Sequence, residues 1–496
     1  MRLSRQVMTP IWILGSTLLP SGAQAHSFGQ TFTLPVPFEL YAWASSATLI
    51  LTFLLMGLKG YLSRGELVAL TMKPDFEFED ISRRSLLSVI LAGLSIALFA
   101  LAVYSGIAGT QRRTDNLNMT YFWIIWMLGL AYLSGITTNV WKTINPFLAI
   151  CQLWDALLKI YHREQWRKPK PLELPDAWLH ILALVWLFVF AAYELFGNSK
   201  PFDLSVLLLV YLVYIFAGSQ LVGLKVFSQK ACFFSMYFDL LGRCGKSLRG
   251  MLTFSTPAEP HLLTHLRSVV PALFVVALFS TTALDGLLDT EYWYKTVWPA
   301  FASLYADYFR PDLVLALNNP LLTAREIGPM FKALEKAMLF IAPASLAMAF
   351  FFALFLAQQI TKSKLTVWQL AQAFAPTLMP IVLVYSFSHY FTLLLTQGVQ
   401  FAHLLSDPMG RGWNIFGTYN LWRAPVLLDA QLIWHIQVGS ILMGHMVSAM
   451  ASHSMAFKLF TNKKHANLSQ VPMLMLMIGL TLFGLWILSQ PLQMGT

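Results

Sequence analysis

Between Pro380 and Leu405 the sequence reads PIVLVYSFSHYFTLLLTQGVQFAHLL, and between Ala430 and Phe457 it reads AQLIWHIQVGSILMGHMVSAMASHSMAF. Each segment is long and apolar enough to form a helix that spans a bilayer. Ionisable side chains inside such a span are energetically costly, and they usually mark a functional site. These two segments hold five of the eleven histidines of the chain, namely His389, His403, His435, His445 and His453.

A polar loop joins the two segments, so we expect them to pack as antiparallel neighbours. Counting residues from the loop places His389 and His445 at nearly the same depth, with His403 and His435 near the loop. Such histidines could bind a divalent metal ion, and His389 with His445 could instead hold haem b or copper. Alternatively, each imidazole is hydrogen-bonded to Ser, Gln or a backbone carbonyl and has only a structural role.

The composition of the whole chain is that of a polytopic membrane protein. Its 496 residues are 57% hydrophobic and only 12% charged. We predict an all-α integral membrane protein with about ten transmembrane helices and amphipathic interfacial helices on the inner side. The predicted spans lie near residues 40–59, 86–108, 119–138, 177–197, 204–224, 268–288, 337–360, 380–405, 430–457 and 471–489.

The net charge of +10 does not indicate a nucleic-acid partner. With the mature N-terminus outside, the inner loops carry about twice as many Lys and Arg residues as the outer loops, as the positive-inside rule requires. Residues 1–25 have a positive start, an apolar stretch and a small-x-small site at Ala23–Ala25, which is typical of a signal peptide. We therefore predict a single polytopic domain over residues 26–496, in a bacterial inner membrane with a periplasmic N-terminus.

Two basic, amphipathic inner segments run through Trp154 and through Tyr237, and we expect both to be anchored in the headgroup layer. The three cysteines fall in these inner segments, where a reducing compartment argues against disulfides.

Several polar residues are predicted to approach the outer face. Asp285 and Asp289 are four residues apart, so they share one face at the outer end of the sixth span. Glu194 ends the fourth span and could join them. His26, which signal-peptide cleavage would expose as the new N-terminus, could act as a metal ligand. We consider Asp285, Asp289 and Arg411 as candidate catalytic residues, and His26, His389, His403, His435 and His445 as candidate metal ligands.

Short motifs along nearly the whole chain resemble a bacterial polytopic membrane family that is labelled fenitrothion hydrolase. They include His26–Gly29, Val140–Pro146, Asp285–Gly286, Ser388–Tyr390, Ser406–Trp413, Gln437–Gly439, Gly444–His445, Ser469–Leu474 and Gly484–Trp486. This chain has Ser452 before His453 where family members carry Ala. The resemblance implies hydrolysis of an aryl phosphorothioate triester to a nitrophenol and a dialkyl thiophosphate.

Three functions follow from these observations. The first is a membrane-embedded hydrolase, which would attack an apolar substrate with a metal-activated water. In it, Arg411 could stabilise negative charge on the phosphoryl group, or else fix its own loop. The second is a haem- or copper-binding subunit of a redox complex, and the third is a permease for a metal or a small solute. A second protein subunit is possible in each case.

Overall fold

A computed structural model describes residues 36–62, 85–162, 171–252, 268–421, 426, 428–460 and 462–491. Within these ranges the chain is helical, and they contain no β-strand. The predicted signal peptide and His26 lie outside the described residues.

Fifteen helices build the fold and the site, and they are numbered in chain order. They are α1 (Phe38–Leu62), α2 (Leu86–Ala108), α3 (Leu117–Ile136), α4 (Pro146–His162), α5 (Asp176–Phe196), α6 (Pro201–Val222), α7 (Leu224–Lys230), α8 (Phe233–Leu252), α9 (Val270–Leu288), α10 (Trp298–Phe309), α11 (Pro320–Thr361), α12 (Val367–Thr396), α13 (Phe401–Ser406), α14 (Ala430–Leu459) and α15 (Lys463–Ser489).

Ten of these helices are long and apolar enough to cross a bilayer, which confirms the predicted fold class. They are α1, α2, α3, α5, α6, α9, α11, α12, α14 and α15. The remaining helices are short or amphipathic and connect the spans. The chain is therefore an all-α, multi-pass membrane protein.

Helix α12 differs from its predicted bounds at both ends. It begins at Val367, after a capping box in which the Thr366 hydroxyl accepts from Gln369 N–H and the Gln369 side chain accepts from Thr366 N–H. It ends at Thr396, before a 3₁₀ turn at Gly398–Gln400 and the separate helix α13. Glycine is a poor helix former, and Gly398 marks this break.

The centre of the fold is a cluster of aromatic rings where α3, α4, α6 and α8 meet. Trp126 is in ring contact with Trp141, Phe147 and Phe234, and Phe147 also meets Tyr211. All five side chains are buried. Because aromatic pairs stabilise beyond their buried area, this cluster fixes α8 inside the bundle.

The two predicted interfacial helices therefore differ from each other. Helix α8 is buried over its first turns, including Phe234 and Phe238, and does not lie on the surface there. Helix α4 fits the expectation, because Leu157, Ile160 and Tyr161 are exposed along it. Cys151, Cys232 and Cys244 form no disulfide and are buried in this region.

Helix α11 has 42 residues, about 63 Å at 1.5 Å per residue, whereas a bilayer core is about 30 Å thick. Its apolar C-terminal part corresponds to the predicted span. Its N-terminal part packs against α10, where Trp298 and Phe301 contact Phe331. The segment between the predicted spans 268–288 and 337–360 is thus largely helical.

Candidate functional site

Asp285 and His389 meet inside the helix bundle. Asp285 lies on α9 and His389 on α12, and each residue is only 9% exposed. The Nε2 atom of His389 lies 2.9 Å from Oδ2 of Asp285. Gly286 leaves room for this approach, because a Cβ atom there would lie 3.1 Å from an Ile487 methyl group and 3.3 Å from the His389 ring, and both would have to shift slightly. The Asp285–Gly286 motif thus supplies both a carboxylate and the room for its imidazole partner.

Tyr390 extends this contact to a second carboxylate. Its hydroxyl lies 2.9 Å from Oδ2 of Asp285 and 3.0 Å from Oε1 of Glu194, which belongs to α5. The rings of His389 and Tyr390 are themselves in edge-to-face contact. Three helices therefore contribute to one chain of polar side chains, Glu194–Tyr390–Asp285–His389, which we call the acid–base chain.

The acid–base chain ends at a cavity of about 210 Å³, which Glu194 and Tyr390 both line. Most of the wall is apolar, from Trp123, Met127 and Phe190 among others. The exposed Arg113 also lines the cavity, so that part of it reaches the surface of the protein. The other lining residues with polar side chains are Thr114, Ser199, Tyr237, Thr281, Thr282, Ser386 and Gln397.

One wall of the cavity has an unusual backbone. Residues Thr120–Leu130 of α3 form a π-helix, and Trp123, Ile124, Met127 and Leu128 of this segment line the cavity. Extended π-helical turns are rare and are frequently found at functional sites. Trp123 and Met127 in these turns place an aromatic and a thioether side chain in the wall of the cavity that Glu194 and Tyr390 also line.

The predicted common depth of His389 and His445 is wrong. Ser388 on α12 pairs with Gln437 on α14, and Ser448 on α14 donates to the Thr377 carbonyl. This antiparallel register places His389 level with Ile436. His445 is level with Pro380, about nine residues or 14 Å away along α12. The prediction failed because α12 ends at Thr396 and not at Leu405, so counting from the loop gave the wrong register.

His445 is buried at 1% exposure, and its Nδ1 atom lies 2.8 Å from the Ile441 carbonyl of its own helix. Its Nε2 atom has no hydrogen-bond partner among the described residues. His389 and His445 do not face each other at one level, and neither lines the cavity. The described residues therefore do not fit a haem or copper ion held between these two imidazoles.

The two histidines predicted near the loop are separate from the acid–base chain. The His403 Nδ1 atom contacts the Tyr419 carbonyl, and the two rings lie against each other. His435 is exposed, with Nδ1 2.6 Å from the Gln431 carbonyl. Each of these contacts is local and structural.

A metal site needs several ligands in one place, and we tested the predicted set for this. Among the described residues, no three His, Cys, Asp or Glu side chains come close enough together to hold a metal ion. Asp285 and His389 are two predicted site residues whose side chains contact each other. His26 lies outside the described residues, so its part in a metal site stays a prediction.

Arg411 lies in a loop that is held in place by hydrogen bonds. The Asp407 carboxylate accepts from the backbone N–H of Arg411 and Gly412 at 2.8 and 2.7 Å. The Arg411 guanidinium donates to the Ala108 carbonyl at 2.9 Å and lies over the Trp413 ring. These contacts attach the Ser406–Trp413 motif to the end of α2.

Asp289 caps the end of α9, and its backbone N–H donates to the Asp285 carbonyl. It shares a helix with Asp285 but is not part of the acid–base chain. The sequence singled out Asp285 and His389 as candidate site residues and named Glu194 as a possible neighbour, and the structure places all three in the acid–base chain. Tyr390, Tyr237 and Arg113 were missed, although Tyr390 directly follows His389 in a quoted motif.

Comparisons with known proteins identify no relative of this chain. No protein-family model matches the chain, and neither a curated protein nor a solved structure matches it.

Proposed function

We propose that this chain is a membrane-embedded hydrolase of apolar organophosphorus triesters, and that the reaction takes place in the cavity beside Glu194. The observation that carries the proposal is the position of the Tyr390 hydroxyl. It lies within hydrogen-bond distance of Glu194 at the cavity and of Asp285, which contacts His389. Carboxylates joined in this way can accept a proton and pass it on.

The substrate class follows from the surroundings of the acid–base chain. The cavity wall is mainly aromatic and aliphatic, as in most sites for small organic ligands. An uncharged aryl phosphorothioate dissolves in lipid, so it could reach the cavity through the bilayer. The resemblance to the family labelled fenitrothion hydrolase favours the same class.

In the proposed reaction, a water molecule in the cavity attacks phosphorus while the ionised Glu194 takes one of its protons. The new P–O bond forms as the P–O bond to the aryl group breaks, and the aryloxide leaves with that electron pair. The other proton of the water stays on the thiophosphate product, which releases it to solvent. General-base catalysis of this kind contributes about 10²–10⁴-fold in rate.

Tyr390 and Asp285 then stabilise the proton on Glu194. Once protonated, Glu194 can donate to Tyr390, Tyr390 can donate to Asp285, and His389 donates to the same carboxylate. Every contact in the acid–base chain then has a proton. The exposed Arg113 at the cavity gives the anionic product a route to the surface. In the proposed topology this is the periplasmic side of a bacterial inner membrane, with or without a second subunit.

The test is the release of nitrophenol from an aryl phosphorothioate by membranes that contain the chain. We expect Glu194→Gln and Tyr390→Phe to lower the rate by about 10²-fold or more. The matched control is Tyr211→Phe, because Tyr211 is equally buried, contacts Cys232 and does not line the cavity. Equal rates in all variants would exclude this site. Loss of activity with a chelator would instead indicate a metal site whose ligands include residues such as His26.

A proton-coupled permease is the second candidate, and the acid–base chain favours it too. Carboxylates and histidines that adjoin a cavity within the membrane are typical of proton relays in transporters. Uptake of the phosphorothioate into vesicles without nitrophenol release would support this candidate over the hydrolase.

A further inference from the structure

The Tyr390 hydroxyl lies between two carboxyl groups, those of Asp285 and Glu194. A tyrosine hydroxyl has one proton, yet its oxygen lies 2.9 Å from Asp285 and 3.0 Å from Glu194. Two oxygens at such a distance are hydrogen-bonded only when a proton lies between them. If both carboxyl groups were ionised, the two contacts would have to share the single proton of the hydroxyl, whereas one extra proton gives each contact its own.

The position of the extra proton follows from Asp285. Its Oδ2 atom contacts both Tyr390 and His389, at 2.9 Å each. An ionised carboxylate oxygen accepts two hydrogen bonds readily, and neutral His389 can donate from Nε2. Asp285 is then the ionised carboxyl group, and it accepts the hydrogen bond that the Tyr390 hydroxyl donates. The contact between Tyr390 and Glu194 therefore needs a proton on Glu194.

We propose that the resting protein binds one exchangeable proton on Glu194, which it donates to Tyr390. The proximity of the two carboxyl groups favours this state, because a second negative charge held close to ionised Asp285 through one hydroxyl would be costly. The acid–base chain is therefore a proton-binding site at the wall of the cavity. The proposed hydrolysis uses the same side chains after this proton has left, but the inference does not depend on any substrate.

The titratable and charged groups around Glu194 come from several helices. Tyr390 and His389 lie on α12, Asp285 on α9, Tyr132 on α3 and Tyr237 on α8. Arg113 is the one Lys or Arg among the described residues that line the cavity, and its guanidinium donates to the Asn198 carbonyl. The proton on Glu194 can exchange with water, because Glu194 itself lines the cavity.

The alternative is that these residues are only interhelical hydrogen bonds that hold α5, α9 and α12 together. Such bonds are common between membrane helices and need no titratable proton. In that case both carboxylates are ionised, and the Tyr390 oxygen is merely close to one of them. Infrared spectroscopy separates the two cases, because a protonated carboxyl group has a C=O stretch that a carboxylate lacks.

The experiment is an infrared spectrum of the full-length protein in lipid vesicles at neutral pH, without substrate. We expect a protonated-carboxyl band that Glu194→Gln removes and that disappears reversibly at high pH. Glu291→Gln is the control, because Glu291 is ion-paired with Lys295 at 2.6 Å and should not change the band. Tyr390→Phe removes the acceptor of the Glu194 proton, so it should shift the band.

Two results would overturn the proposal. One is the absence of any such band at neutral pH from well-inserted protein. The other is a band that survives Glu194→Gln and is lost in Asp285→Asn, which would place the proton on the other carboxyl group. Because no substrate is present, failure here is distinct from failure of the proposed hydrolysis. If the protein binds the proton but releases no nitrophenol, the proton-binding site is supported and the proposed hydrolase activity is excluded.

Discussion

Ser388 and Gln437 hold α12 and α14 in register through two reciprocal hydrogen bonds. The Ser388 hydroxyl donates to the Gln437 carbonyl at 3.1 Å, and the Gln437 amide donates to the Ser388 carbonyl at 2.7 Å. This pairing separates His389 from His445 in depth. It also directs His389 toward α9, where Asp285 meets it.

The register can be tested by cross-linking. A Cβ on Gly444 would lie 2.2 Å from a Val384 methyl group, so the two backbones are close. We expect Val384→Cys with Gly444→Cys to form a disulfide on oxidation. His389→Cys with His445→Cys should not, although counting from the loop predicts that they are level. The readout is the shift in gel mobility, and the reverse pattern would contradict the register.

Gly286 should tolerate no side chain larger than that of alanine. Gly286→Val would force the His389 ring away from Asp285, and overpacking of this kind costs about 1–3 kcal/mol. We expect a lower unfolding temperature in detergent. Gly479→Ala is the control, since nothing lies within 4 Å of its added Cβ. If both variants unfolded at the same temperature as the wild type, the close packing at Gly286 would be disproved.

Asp407 should matter more to its loop than Arg411 does. Asp407→Ala removes two hydrogen bonds from backbone N–H groups to a buried carboxylate, and each bond to a charged group contributes about 1.5–3 kcal/mol. Arg411→Ala removes an exposed contact with Ala108. We expect faster proteolysis of this loop in Asp407→Ala than in Arg411→Ala. The opposite order would restore a larger role for the Arg411 side chain.

A substitution of Arg411 distinguishes a loop-fixing role of its side chain from a catalytic role. Because its guanidinium contacts Ala108 and Trp413 and does not line the cavity, Arg411→Gln should change nitrophenol release by less than about 10-fold. Loss of an electrostatic stabiliser of the transition state costs about 10²–10³-fold. Rates of the wild type and of this variant, measured at equal amounts of inserted protein, distinguish the two roles.

Cys244 should be unreactive in the folded protein. Burial raises the pKa of its thiol from the ordinary 9.0 to about 12, so the reactive thiolate is scarce at neutral pH. We expect iodoacetamide to label Cys244 only after denaturation, as read by mass spectrometry. From about pH 9 upward the unfolded chain ionises here while the folded chain does not. The fold should therefore lose stability between pH 9 and 12 through this group, and Cys244→Ala should reduce that loss.

The sequence by itself determined the all-α fold class and the ten candidate spans. Apolar runs of about 20 residues predict spans, because a bilayer leaves backbone groups no partner outside a helix. The ten spans were found for that reason. It also singled out Asp285 and His389, since ionisable groups are rare in such runs.

Only the tertiary structure decided which of these groups meet. The sequence placed His389 beside His445 because it could not show that α12 ends at Thr396. It did not assign Tyr390, because adjacent residues on a helix point about 100° apart and are not expected to share a partner. The long side chains of His389 and Tyr390 nevertheless both reach Asp285, and Glu194 arrives from α5. Contacts between distant segments depend on helix ends, crossing positions and side-chain length, and no local pattern in the sequence encodes these.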